Sequence, residues 1–140
     1  MENMYVHKVQ YYETDKMGIV HHSNYIRWFE EARVYYLDKI GASYKMVEDM
    51  GFTGPVLSVK CEYKKSCTFG DMVFVDAKLV ELGNVRFKIG YEVRDFETKE
   101  IKAVGETTHC FLDSSGKVVS IKKKVPEIYE RLLGCVAREK

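Results

Sequence analysis

Two hydrophobic periods divide the chain. Tyr25, Trp28, Phe29, Ala32, Tyr36 and Ile40 recur at helical spacing, while Arg27, Glu31, Arg33, Asp38 and Lys39 lie mostly on the other side. This predicts a helix of about four turns, closed by Gly41. A short second helix, Ser43 to Met50, is closed by Gly51. The period then falls to two. Leu57, Val59 and Cys61 alternate with polar residues, residues 72–82 form a second apolar run, and Val85 to Arg94 alternate after a Gly83-Asn84 turn. These are strands, the last with one wet face. Residues 100–112 predict a long strand, 113–116 a turn and 117–123 its hairpin partner. A helix follows Pro126, with Ile128, Leu132 and Leu133 on one face. Upstream, Tyr5 to Tyr12 reads as a strand, and residues 13–24 as a loop leading to a helix start.

The order is strand, long helix, four or five strands on short connections, and a tail helix. Short connections favour an antiparallel sheet and an α+β class. The aromatic stripe of the long helix is too wide to leave exposed, so the helix packs on one face of the sheet and the sheet curls around it. Long, half-apolar edge strands are most simply protected by a second copy of the chain, which predicts a homo-oligomer, dimer or tetramer.

Composition narrows the function. A chain of 140 residues is one domain, 1–140, and 46% hydrophobic with 31% charged residues is not a disordered composition. The net charge of +1 is spread evenly over both halves, which argues against a nucleic-acid partner. No apolar run suits a membrane span, and MENMYVHKVQYYETD has no apolar signal region. The expected location is cytoplasmic, with Cys61, Cys67, Cys110 and Cys135 as reduced thiols.

The reactive residue types crowd into Tyr12 to Tyr25. A carboxylate here, Asp15, precedes a helix start, whose unpaired N–H groups can hold a developing oxyanion. A thioester needs little more, because its thiolate leaving group has a conjugate-acid pKa of about 8.5. On spacing alone, Asp15 could equally make an Asx-turn, and Ser23 or Asn24 a plain N-cap. His21-His22 suggests a metal only weakly, since neighbouring histidines tend to point apart; no metal and no cofactor are expected.

The pattern Tyr12-Glu13-Thr14-Asp15-x-x-Gly18-x-Val20-x-His22-x-x-Tyr25-x-x-x-Phe29-Glu30-x-Ala32-Arg33 resembles the signature of the 4-hydroxybenzoyl-CoA thioesterase-like acyl-CoA thioesterases. Tyr63 and Gly70-Asp71 match the same pattern, and Glu13 stands where many members carry Asp, a change not expected to touch the chemistry. The resemblance implies the hotdog fold, a curved antiparallel sheet wrapped around a long helix, and an acyl-CoA substrate held at a subunit interface. It implies Asp15 as nucleophile or general base, and the backbone N–H of His22 as the group polarising the thioester carbonyl. Glu30 matches an acidic position near the acyl pocket, though pairing with Arg27 or Arg33 explains it equally well. Tyr25 is a core or pocket-wall residue. Lys64-Lys65 and Lys122-Lys123-Lys124 are candidates for the phosphates of coenzyme A. The alternatives are a hydroxyacyl-thioester dehydratase of the same fold, or a non-catalytic acyl-CoA or acyl-carrier binding module.

Overall fold

The structure, a computed structural model, describes residues 4–139, with side chains to residue 136. Its strands are β1 (Met4–Lys8), β2 (Val56–Tyr63), β3 (Met72–Leu82), β4 (Arg86–Asp95) and β5 (Ile101–Cys110). Its helices are α1 (Ser23–Lys39), α2 (Tyr44–Asp49), α3 (Ile121–Lys124) and α4 (Pro126–Glu139). The strands form one antiparallel sheet in the order β1-β3-β4-β5-β2. The central three are a meander, and the flanking two arrive over long connections.

Alternation sets the inner face. Val73, Val75, Ala77 and Leu79 of β3 and Phe87, Ile89, Tyr91 and Val93 of β4 are buried. Helix α1 lies across them, its Phe29 ring stacked 4.4 Å from that of Tyr91. The helix touches β3 and both edge strands, β1 and β2. Five strands span about 19 Å edge to edge, so a helix about 10 Å wide reaches both edges only if the sheet curls. Gly105 of β5 makes room for this approach. A Cβ there would lie 2.5 Å from the Phe29 ring and 2.5 Å from the Lys60 carbonyl oxygen.

The expected stripe of α1 is buried from Tyr25 to Tyr36, Ile40 being half-buried just past the helix end, and it is wider than the spacing predicted. Leu37 joins it, and so does Arg33, at 5% exposure. Arg33 belongs to the core because its Nε donates to Tyr44 Oη at 2.7 Å and its Nη1 to Tyr91 Oη at 3.1 Å. The second helix keeps its expected start, with Ser43 Oγ accepting from Met46 N at 3.2 Å.

Four expectations are corrected. The first strand ends at Lys8, because its partner β3 begins opposite it at Met72; Tyr11–Glu13 is a 3-10 turn with both tyrosines exposed. The strand expected over 100–112 ends at Cys110. The hairpin partner expected over 117–123 is reduced to one bridge, Leu112 with Val118. Ser120 Oγ then accepts from Lys123 N and starts α3, so the chain turns helical instead of extending. On α4 the buried face is Ile128, Leu132 and Cys135, whereas Leu133 is 42% exposed. None of the four cysteines forms a disulfide.

Candidate active site

The loop before α1 is built from local hydrogen bonds. Thr14 and Val20 bridge, and Asp15 N donates to Ile19 O at 2.9 Å. Gly18 closes the turn at φ +81°, donating to Asp15 O at 2.9 Å. A side chain is strained at that φ, so glycine suits the position. Asp15 Oδ1 accepts from Met17 N at 2.8 Å. The Asx-turn therefore exists, and it occupies one carboxylate oxygen. Asp15 Oδ2 has no hydrogen bond within the described residues.

Neither Ser23 nor Asn24 is a plain N-cap. His22 holds that position, with φ −54° and no side-chain cap bond. Asn24 N donates to His21 O at 3.0 Å, Tyr25 N to His22 O at 3.3 Å, and Ser23 N to the His21 ring at 3.3 Å. The first turn thus consumes its own N–H groups, and the His22 N–H donates to no acceptor among the described residues. Contrary to expectation, the His21 and His22 rings do not point apart; their centroids are 4.1 Å from each other.

A groove of about 200 Å³ opens beside this helix start, lined by Val20, His22, Tyr25, Tyr63, Lys64, Lys65 and Ser66. Tyr63 Oη donates to His22 O at 3.2 Å and holds the end of β2 against the helix. Burial, helped by Cys61, pushes the Tyr63 phenol up to about 12. Burial also raises the Tyr25 phenol and the Cys67 thiol. Both phenols stay protonated at neutral pH, and Lys64 and Lys65 bring positive charge to the groove.

Four expected site residues, His22, Tyr25, Lys64 and Lys65, therefore meet in one groove. Lys64 pairs with Glu62 at 3.1 Å and Lys65 with Glu100 at 2.8 Å. These pairs are exposed and weak, so an arriving anion can compete for either lysine. Asp15 sits in the adjoining turn and is not among the residues that line the groove. Glu30 is exposed on α1 outside the groove and pairs with neither Arg27 nor Arg33. The Lys122–Lys124 run lies on α3, also outside the groove, with Lys122 Nζ 6.0 Å from the Tyr129 ring centre.

Glu13 is the residue that sequence reasoning undervalued. It is 4% exposed. Its Oε1 accepts from Gln10 N and from the His7 ring, both at 2.8 Å, and its Oε2 from Trp28 Nε1 at 2.7 Å. Burial alone would raise its pKa, but these donors outweigh burial and hold the carboxyl below its usual range. A glutamate placed three residues after a turn start was the available signal.

A family model described as thioesterase-like superfamily matches residues 9–132. A crystal structure of a hypothetical protein from Aquifex aeolicus is 42% identical, with TM-score 0.82, covering 90% of this chain and 98% of that one. The DHNA-CoA thioesterase of Staphylococcus aureus is 30% identical, with TM-score 0.87, covering 98% of this chain and 94% of that one. A 1,4-dihydroxy-2-naphthoyl-CoA hydrolase of Prochlorococcus marinus is 26% identical over 132 residues, covering 89% of this chain and 83% of that protein. With its curled sheet, its central helix and its motif in the loop before that helix, this chain belongs to the thioesterase-like superfamily: it is a hotdog-fold thioester hydrolase of the acyl-CoA thioesterase family.

Proposed function

We propose that residues 1–140 act as one domain that hydrolyses an acyl-CoA thioester at the loop before α1, with Asp15 and the His22 N–H as its working groups. The observation that carries this reading is their placement. One loop carries, before the same helix start, a carboxylate oxygen and a backbone N–H that make no hydrogen bond among the described residues. The thioester oxygen accepts from the His22 N–H, which stabilises the charge that develops there. Asp15 either attacks the carbonyl carbon or takes a proton from water that attacks it. A C–O bond forms, the C–S bond breaks, and the thiolate leaves without a strong general acid. Where Asp15 itself attacks, water then hydrolyses the resulting anhydride, which frees the acid and restores the carboxylate. Tyr25 contributes wall, Lys64 and Lys65 attract the phosphates of coenzyme A, and Glu30 lies close to the acyl group.

The test is thiol release across aromatic and aliphatic acyl-CoA substrates, with Asp15→Asn as the diagnostic variant. Asn keeps an oxygen for Met17 N, so the turn survives while the charge is lost. The expected loss in kcat is about 10²–10⁴-fold. A variant within about tenfold of wild type would remove Asp15 from the chemistry. No thiol release at all would favour dehydration or simple binding.

The reading includes assembly of two or four chains and a cytoplasmic location. Strand β2 supports assembly. It is a sheet edge with Val56, Leu57, Val59 and Tyr63 all exposed, and α1 also exposes Ile26 and Val34. Light scattering should give a multiple of the 16.3 kDa chain mass at micromolar concentration; a mass of one chain would refute assembly. Four cysteines outside any disulfide support the location, and no helix among the described residues is long and apolar enough to cross a membrane.

A further inference from the structure

We propose that Glu13 is a positioning residue for this hydrolysis, one that holds Asp15 and the His22 N–H in mutual register from below the loop. The inference rests on the reading just given. Two sets of bonds meet at this residue. The carboxylate ties the chain to β1 through His7, to the preceding turn through Gln10 N and to α1 through Trp28. The Glu13 carbonyl faces the other way, accepting from His21 N at 2.8 Å and from Asn24 Nδ2 at 2.9 Å. Asp15 follows two residues later, within about 7 Å of chain. His22 follows His21 directly. A displacement of Glu13 therefore moves both working groups, and by different amounts.

The donors around the carboxylate make the residue hard to replace. Oε1 meets two donors and Oε2 meets a third. A glutamine has one acceptor oxygen and one NH2. In either orientation its NH2 faces a donor, either the Trp28 Nε1–H or the pair from Gln10 and His7. The side chain must then move, carrying its carbonyl away from His21. A misplacement of about 1 Å at reacting groups can cost about 10²-fold in rate. Among the described residues Glu13 makes no hydrogen bond to a side chain that lines the groove, so KM should change less than kcat.

The experiment compares Glu13→Gln, Glu13→Asp and Leu132→Ala with wild type in the full chain. Leu132 is buried on α4 near Leu37 and Val47, at the opposite end of α1, and its loss serves as a destabilised control. Three quantities are read: kcat and KM by thiol release, Tm, and amide hydrogen exchange at His21. We expect Glu13→Gln to lose about 10- to 100-fold in kcat with KM within about threefold. Glu13→Asp, which keeps both anionic acceptors, should recover part of the loss. The control should keep kcat within about twofold despite its lower Tm. The His21 amide should exchange at least about tenfold faster in Glu13→Gln and not in the control. The proposal is overturned if Glu13→Gln keeps wild-type kcat, if the control loses as much, or if His21 exchange does not change. Should Glu13→Gln fail to fold, the same comparison is read from Glu13→Asp. If wild type releases no thiol from any acyl-CoA, the role given to Asp15 fails. The exchange data still decide whether Glu13 holds the loop.

Discussion

Two buried polar clusters grip helix α1, and they are built on opposite terms. At its N-terminal end Glu13 is an anion among three matched donors, under a loop that faces solvent. In its middle Arg33 is a cation with only neutral partners, under the sheet. From Arg33 the bonds run to Tyr91, then to Thr107 and to His109, each of the last two steps 2.7 Å. Arg33 can only donate, so the Tyr91 hydroxyl hydrogen goes to Thr107 and that of Thr107 to His109 Nε2. This assigns the ring hydrogen of His109 to Nδ1, a buried atom that has the Pro55 backbone near it but no well-formed hydrogen bond among the described residues. A saturated cluster next to a loop transmits position to that loop. A chain of neutral hydroxyls that ends on a buried neutral ring instead fixes how the core packs, and it holds only in one protonation state. The first cluster should therefore govern rate and the second stability.

The sharpest way to break this contrast lies at His22. Its φ of −54° already suits proline, so His22→Pro removes the N–H with little local strain. The expected loss in kcat is about 10²–10³-fold, with the fold checked by circular dichroism. His22→Ala, which keeps the N–H, should retain most activity. If alanine costs as much as proline, the imidazole carries the chemistry and the backbone does not.

The second test is acid. Burial first, and then the charge of Arg33, lower the pKa of His109 from 6.5 to about 4. The unfolded chain therefore binds a proton that the folded chain refuses. Its contribution to stability is complete above about pH 6.5, falls as pH drops toward 4, and amounts to about 3 kcal/mol over that range. Urea midpoints measured at fixed protein concentration should follow this course, and His109→Gln should flatten it. An unchanged slope in that variant would place the dependence elsewhere.

The smallest expected effect is on Arg33. Arg33→Met keeps the apolar stem and removes the donors from Tyr44 and Tyr91. It should cost about 2 kcal/mol in stability by denaturant titration, the cost of leaving partly buried hydroxyls short of a partner. KM should not move, since neither phenol lines the groove. A rise in KM without loss of stability would join the second cluster to the site.

The parts legible in the sequence are those whose causes are local. A period near 3.6 marked α1, and alternation marked the central meander, because each burial pattern repeats within a few residues. The motif put His22 and Tyr25 on one groove, with Asp15 in the adjoining turn, for the same reason. Glu13 looked incidental because its Trp28 partner lies fifteen residues on. Arg33 looked like a surface residue because its phenols come from α2 and β4. The tail hairpin was misread because two local signals compete there. The turn at Asp113 favours a strand pair, while the Ser120 cap favours a helix, and the bond from Ile121 N to Asn84 O at 2.6 Å sides with the helix. Cys135 replaces Leu133 on α4 because the helix is seated by Ile128 and Leu132, and the position one turn further along that face is 135.

The strand order also has a consequence for how the chain is made. Strands β3, β4 and β5 pair through short turns, but β1 and β2 must wait: Val6 pairs with Phe74, and Val59 with Thr107. Loop-closure entropy opposes such distant pairings until the meander exists. A ribosome releases the chain in the reverse of that order. The aromatic helix and the loop before it emerge before Met72, and the sheet that covers them is finished only at Cys110. During that interval Trp28, Phe29 and Tyr36 have almost nothing to pack against. The nascent first half is then a hydrophobic ligand for any chaperone or neighbouring chain at the exit tunnel.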